Sequence, residues 1–446
     1  MNPIVNPSAK DIFRSEVRPA LGCTEPAAVA LAAAAAASAL PPGPLEKITV
    51  RLDPNVFKNC LAAAVPGGGG GKGPALAAAL GALGGDPRLG LQALASVDER
   101  CLAEARRLVR SGLAGVTPDY EKQGIFISVR LSAGGRESEA VIRDRHDRLT
   151  MLRLDGREIS SPLAGAVEAG GMASPAAVAP EALQRLSLET LVAMTDNLDQ
   201  DDLDFLEEGT RMNRRLAEYG LRAASGLGVG RSLRNIAARD TRRQDLVATA
   251  RMVAAAAADA RMAGVSLPAM SSAGSGNHGL TAVLPILTLF DILGGDNRKM
   301  LRAVGLSHLA TASVKAHAGR LSAVCGCSIA AGSGAAAGCA YFLGGDLAVI
   351  QGAVINVMAD LAGVVCDGAK ASCALKVATA AGTAVQSALL ALEGVVAPPT
   401  DGLAGSVFEE TAANLGLLSR VGMAAVDRTI IDIMAGKDIR TPGDRP

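Results

Sequence analysis

The sequence predicts an α+β protein, with an N-terminal α/β layer domain over residues 1–165 and a larger all-helical domain over 180–446. Three observations predict it. Alternation of apolar and polar residues, the mark of half-buried strands, is confined to the first third of the chain. From about residue 180 the patterns are helical throughout. Between the two lies "SPLAGAVEAGGMASPAAVAPEA" (161–182), rich in Gly, Pro and Ala, where a domain boundary is expected.

The elements follow in order. "KITVRLD" (47–53) and "GIFISVRLS" (124–132) alternate as strands do. "SEAVIRDRHDRLTMLRLDGREIS" reads as two further strands, with a turn at Asp155-Gly156. Ala-rich helices over 27–40, 74–84 and 98–112 interrupt the strands, as in a layered α/β fold. Beyond the boundary, helices are expected over 181–195, 202–224, 241–263, 280–293, 297–318, 327–343, 346–364, 374–393 and 407–420. "GLGVG", "SSAGSGNHG", "LGGD" and "VAPPTDG" break them.

Composition narrows the function classes. Lys+Arg and Asp+Glu both number 44, so the chain lacks the basic footprint of a nucleic-acid binder. It is 49% hydrophobic but only 2% aromatic, with 51 Gly and no Trp, which implies helices packed closely through small residues. The stretch 321–345 is long enough to span a bilayer, yet its glycines, its cysteines and the lack of flanking aromatics favour a helix buried in protein. Charges stand where a signal peptide would have its apolar core, so a cytoplasmic location is expected. In a reducing compartment the eight cysteines are expected to be free, catalytic or metal-bound. Five of them (Cys325, Cys327, Cys339, Cys366 and Cys373) fall within 49 residues.

Four motifs carry chemistry. "ALGCTEPAAVALAAAAAA" sets Cys23 just before a helix, with Thr24 as the expected N-cap. The helix dipole there should lower the thiol pKa and suit a base or nucleophile; the alternative is an inert buried cysteine. "SSAGSGNHGLTAVLPIL" (271–287) places small residues, Ser272, Asn277 and His278 at a helix start. That suits a carboxylate, or simply a tight connection between helices. "AVCGCSIAAG" and "VCDGAKASC" put Cys325, Cys327, Cys366 and Cys373 at a helix start and around a turn. They are either metal ligands or buried small hydrophobes, and their spacing matches neither a ferredoxin run nor a zinc ribbon. "PGGGGGKG" (66–73) lacks both the first Gly and the Ser/Thr of a phosphate loop, and a loop closing over a small carboxylate is the better expectation.

Taken together, "EVRPALGCTEPAAVALA", "SSAGSGNHGLTAVLPI", "GRLSAVCGCSIAAG" and "CDGAKASCALKVATA" resemble the L-cysteine desulfidase family, relatives of the iron–sulfur L-serine dehydratases. They run from residue 16 to about 380, so the resemblance spans both domains. It implies a [4Fe–4S] cluster on three cysteines and α,β-elimination from a small amino acid, L-cysteine or alternatively L-serine or L-threonine. By matching motifs it implies Cys366 and Cys373 as ligands, with Cys325 as the third and Cys327 as its alternative. Cys23 matches the family's proton acceptor. Thr24, Ser272, Asn277 and His278 fall on the substrate side, although "NHG" stands where the dehydratases usually carry Thr-Asn-Gly. No partner beyond the small substrate is implied, and Ala/Gly-rich helices are compatible with a homodimer. Readings from other classes are a non-catalytic metal-binding or redox-sensing protein and a membrane transporter.

Overall fold

The computed structural model describes residues 6–20, 22–122, 124–159, 178–239 and 245–437. Most of the expected boundary segment, 161–182, lies outside them. The first half is built on a six-stranded sheet in the order β3-β2-β4-β5-β6-β7. Its strands are β2 (Leu45–Leu52), β3 (Ala114–Pro118), β4 (Phe126–Ala133), β5 (Arg136–Arg143), β6 (Leu149–Leu154) and β7 (Arg157–Glu158). The β2–β3 pair is parallel and every other pair antiparallel. Asp155 and Gly156 both take positive φ, 48° and 78°, as a two-residue hairpin turn between β6 and β7 requires.

Helices α2 (Thr24–Ser38), α3 (Pro54–Leu61), α4 (Pro74–Gly84) and α5 (Glu99–Arg110) complete this layer. Helix α2 is apolar all round, and every residue from Thr24 to Ala36 is buried. It packs on β4 and β5 and runs against α4 at very short range. A Cβ on Gly81 would lie 2.2 Å from the Ala30 carbonyl oxygen, so only glycine permits the approach. Ile48, Val50, Leu52, Ile127, Val129 and Leu131 face these helices from the sheet.

The second half is helical, as expected. Its helices are α6 (Pro180–Gln184), α7 (Leu188–Asp196), α8 (Gln200–Arg222), α9 (Val229–Ala237), α10 (Leu246–Met262), α11 (Gly276–Leu293), α12 (Asn297–Ala318), α13 (Gly332–Phe342), α14 (Leu347–Leu361), α15 (Cys373–Leu392), α16 (Phe408–Leu417) and α17 (Val426–Ala435). One strand departs from the expectation: β8 (Ala269–Met270) pairs antiparallel with β1 (Pro19–Ala20). Two residues are too few to leave an alternating pattern in a sequence. The stretch 321–345 forms no single long helix; it holds a π-helical turn (Cys327–Ala331) and the 11-residue α13, buried in the core. Among the described residues the helices long and apolar enough to cross a membrane are α11 and α15, whose apolar windows are 78% and 61% buried inside the protein.

The first helix, α1 (Ala9–Glu16), packs Ile12 and Phe13 into the helical core, not into the sheet layer. From α1 in one core the chain pairs β1 with β8, passes Cys23 and enters the other core from Ala28 onward. That crossing point is where the candidate site lies.

Candidate active site between the two halves

A cavity of about 200 Å³ opens at this junction. Cys23, Thr24, Glu25, Asn59 and His146 line it from the sheet half. Arg261, Asn277, His278, Lys315, Cys325, Cys327, Cys366 and Cys373 line it from the helical half.

The four C-terminal cysteines meet through backbone pairing that sequence separation hides. Val324 and Val365 form an antiparallel bridge, with Cys325 N–H donating to Val364 O and Cys366 N–H to Ala323 O, each at 2.7 Å. Side chains alternate along such a ladder, so Cys325 and Cys366 fall on one face as diagonal neighbours, roughly 7–8 Å apart. Cys373 opens α15 after the Gly368 turn (φ 90°), and Cys327 opens the π-helical turn. Between the cysteines of "CGC", Gly326 lies against His278; a Cβ there would stand 2.4 Å from Nε2.

Two lysines stand near these thiols. Lys315 is buried, donates to Ser322 Oγ at 2.9 Å, and forms no ion pair among the described residues. Burial lowers its pKa to about 8. Lys376 donates to Val365 O at 2.7 Å and pairs with Asp367. The Cys327 thiol beside it, then the Ser328 hydroxyl and amide and last Lys376, lower the pKa of Cys325 against the opposing effect of burial, while that of Cys327 is raised in return. Burial pushes Cys373 up to about 11.

Among the described residues no three Cys, His, Asp or Glu side chains converge tightly enough for one metal ion. An iron–sulfur cluster asks for a different arrangement, because its thiolates bind separate irons and need not meet at a point. Free thiols on both sides of one cavity, a softened Cys325 and a buried lysine without a carboxylate fit that group.

On the opposite wall Cys23 is itself the N-cap of α2, and Thr24, expected there, is the first helical residue. Cys23 packs with Ala63 and Met262, and half-buried Cys373 and Ala369 close the same small cluster. Its Sγ donates to Glu25 Oε2 at 3.1 Å; Thr24 Oγ1 donates to the same oxygen, and Asn59 Nδ2 to Oε1. The expected fall in the Cys23 pKa is reversed. Burial and the Glu25 carboxylate raise it well above the usual thiol value, outweighing the helix start and Arg261. Glu25 stays below the ordinary carboxylate range: burial opposes this, while neighbouring His146 and the donors around it hold the charge.

The "SSAGSGNHG" loop forms a tight turn in which Ser272 and Ser275 exchange two backbone hydrogen bonds of 3.1 Å. Ala273 takes φ 44° within it, a left-handed conformation that costs a residue with a Cβ. Asn277 and His278 line the cavity. His278 Nδ1 donates to Ser272 O at 3.2 Å, and burial lowers its pKa to about 3, so the ring is neutral with Nε2 toward Gly326. Ser272 lies behind this wall instead of lining it, its hydroxyl bonded to His308 Nδ1 at 3.0 Å. The glycine-rich loop is also absent from the lining. Arg106 donates to the Gly68 and Gly69 carbonyls, and Pro66 packs against Gly22, so the loop braces the Cys23 turn from behind.

Sequence reasoning did not single out Glu25, Asn59, His146, Arg261 or Lys315. A signal existed for three of them. Glu25, Arg261 and Lys315 are charges set within or beside Ala-rich helical stretches that are otherwise apolar. His146 sits in a charged turn between β5 and β6 and left no such mark.

The helical half with its cysteine-lined pocket is a serine dehydratase-like domain of the amino-acid lyase type. Residues 181–432 match the family described as serine dehydratase alpha chain, and the chain belongs to that family. It is similar over almost its whole length to UPF0597 proteins. That of Desulfotalea psychrophila is 49% identical over 96% of this chain and 98% of the relative. That of Desulfatibacillum aliphaticivorans is 50% identical over the same shares, and that of Geobacter sulfurreducens 40% over 97% and 99%.

Proposed function

We propose that this chain is an iron–sulfur-dependent lyase that converts L-cysteine and water to pyruvate, ammonia and hydrogen sulfide. The observation that carries this reading is the convergence of Cys23 from one half with Cys325, Cys327, Cys366 and Cys373 from the other on one cavity. Families of the serine dehydratase alpha type depend in general on an iron–sulfur cluster. Cys325, Cys366 and Cys373 would hold it, Cys327 being the alternative to Cys325, and it would supply a Lewis acid for the carboxylate or the departing group.

The chain's own groups do the rest. Glu25 accepts the Cys23 proton, along the hydrogen bond already formed, in the same step in which the sulfur takes a proton from the substrate, so that no free thiolate has to form first. The proton that Cys23 takes is the substrate's α-proton, forming a new S–H and breaking C–H while the old S–H proton goes to Glu25. The electron pair expels sulfide from the β-carbon, and the aminoacrylate left behind tautomerises and is hydrolysed to pyruvate and ammonia. Neutral His278 and Asn277 orient the substrate from the opposite wall. Thr24 lends its hydroxyl to Glu25, and Ser272 holds His278 through its carbonyl.

The family match favours a second reading, the same elimination on L-serine with water as the leaving group. Under either reading the protein acts in the cytoplasm on a free amino acid, without nucleic acid or membrane, and its small-residue helices are available for a homodimer. The test is anaerobic reconstitution with iron and sulfide, a metal count, and assays of pyruvate and sulfide on each substrate. Iron-loaded protein that releases sulfide from L-cysteine supports the first reading. Pyruvate from L-serine alone selects the second. A colourless, iron-free, inactive protein after reconstitution overturns both.

A further inference from the structure

Arg261, near the end of α10, is only 4% exposed and forms no ion pair among the described residues. Its partners are neutral: Nη2 donates to Gly22 O at 2.6 Å, and Nη1 donates to Asn277 Oδ1 at 3.1 Å and to Met262 Sδ at 3.7 Å. Nε is buried without any hydrogen-bond partner. The guanidinium lies against the first residue of α11, for a Cβ on Gly276 would stand 2.2 Å from Nε and 2.7 Å from Cζ.

That placement joins like charges. Helix α11 is 18 residues long and has no side-chain cap, and the amides of Gly276, Asn277 and His278 have no hydrogen-bond partner among the described residues. The start of α2, reached through Gly22, lacks a side-chain cap as well. Each helix start carries roughly half a positive charge. A buried guanidinium set against them is unfavourable unless an anion completes the group. The nearby carboxylate, Glu25, is already engaged by Cys23, Thr24 and Asn59.

We infer that Arg261 and the uncapped start of α11 form the subsite for the substrate's α-carboxylate, so that a free carboxylate is an obligatory feature of any substrate. This rests on the proposed lyase reading for its ligand but not for its charge requirement. Glycine at 276 follows from it, since any side chain there would displace the guanidinium.

The experiment compares acid with amide. Wild type and Arg261→Gln are assayed on L-cysteine and L-cysteinamide, and on the serine pair. Loss of a charge-assisted contact lowers kcat/KM on the acid about 10- to 100-fold, mainly through KM. The amide, poor with wild type, changes less than about threefold, and Arg261→Lys restores part of the preference. Equal losses on acid and amide, or an unchanged preference, overturn the inference. A second measurement needs neither turnover nor a folded variant: thermal stabilisation of the iron-loaded wild type by L-serine and by L-serinamide. Stabilisation by the acid alone supports the subsite even where no elimination is seen, and equal stabilisation by both overturns it. Failure of the lyase reading shows instead as an absence of product from every substrate.

Discussion

Cys23 and Cys325 are both buried thiols at the start of helical turns, on opposite walls of one cavity, and their acidities diverge in opposite directions. Cys325 is lowered, whereas Cys23 rises well above the usual thiol value. Burial raises both, so the difference lies in their partners. Cys23 donates its proton to a carboxylate, while Cys325 has Cys327, the Ser328 hydroxyl and amide, and more weakly Lys376 beside it. Position at a helix N-terminus is therefore a weak guide to thiol chemistry when a full charge stands within hydrogen-bond reach. Cys23 keeps its proton; on the other wall Cys325 is lowered, while burial and neighbouring thiols raise Cys327 and Cys373.

The sharpest way to break this comparison is to remove sulfurs from the wall that carries Cys325. Cys366→Ser should lower bound iron severalfold after anaerobic reconstitution and abolish elimination. Cys327→Ser should retain iron if Cys325 is the third ligand, and metal counts on Cys325→Ser and Cys327→Ser decide between them. On the other wall, Cys23→Ala should keep its iron and its spectrum but lose about 10²–10⁴ in kcat. Equal iron loss from Cys23→Ala would place that residue among the ligands and not with the proton-transfer groups.

Two smaller effects sharpen the role of environment. His308 supports the substrate-side turn through Ser272, and burial lowers its pKa from 6.5 to about 4. Its neutral form is the one the fold prefers, so its contribution is complete above pH 6.5 and is lost as pH falls toward 4. That amounts to about 3 kcal/mol at 1.36 kcal/mol per unit. Urea titrations at pH 7 and pH 4.5 should show a shallower acid limb for His308→Gln than for wild type. Last, Glu25→Gln removes the anion that holds the Cys23 proton. Its thiol should be alkylated by iodoacetamide faster than that of wild type at pH 8. An unchanged alkylation rate would mean that burial alone sets that thiol.

Much of the fold was legible because it rests on local periodicity. Strands at 47–53 and 124–132, the Asp155-Gly156 turn and nearly all the long helices follow from alternation, apolar stripes and breakers. Short elements were not legible. Helices α1, α3, α9 and α17 have ten residues or fewer, and their stability comes from packing on neighbours, not from their own pattern. The cap of α2 was assigned one residue late, because Thr is the better capping side chain and Cys23 takes the position without capping it.

The sequence by itself determined the two-part α+β architecture and the identity of the sulfurs and of the Cys23, "SSAGSGNHG" and "CDGAKASC" segments. These depend on residue type and spacing along the chain. Only the tertiary structure decided which groups face one another. The Val324–Val365 bridge joins cysteines 41 residues apart, and Cys23 meets Cys373 across 350 residues. The direction of the Cys23 pKa, the retreat of Ser272 behind His278 and the exposure of Arg261 to an unfilled charge requirement are likewise tertiary. The physical reason is the range of the forces. Helix and strand patterns are written over a few residues, whereas desolvation and Coulomb energy depend on whatever the fold brings within a few ångströms.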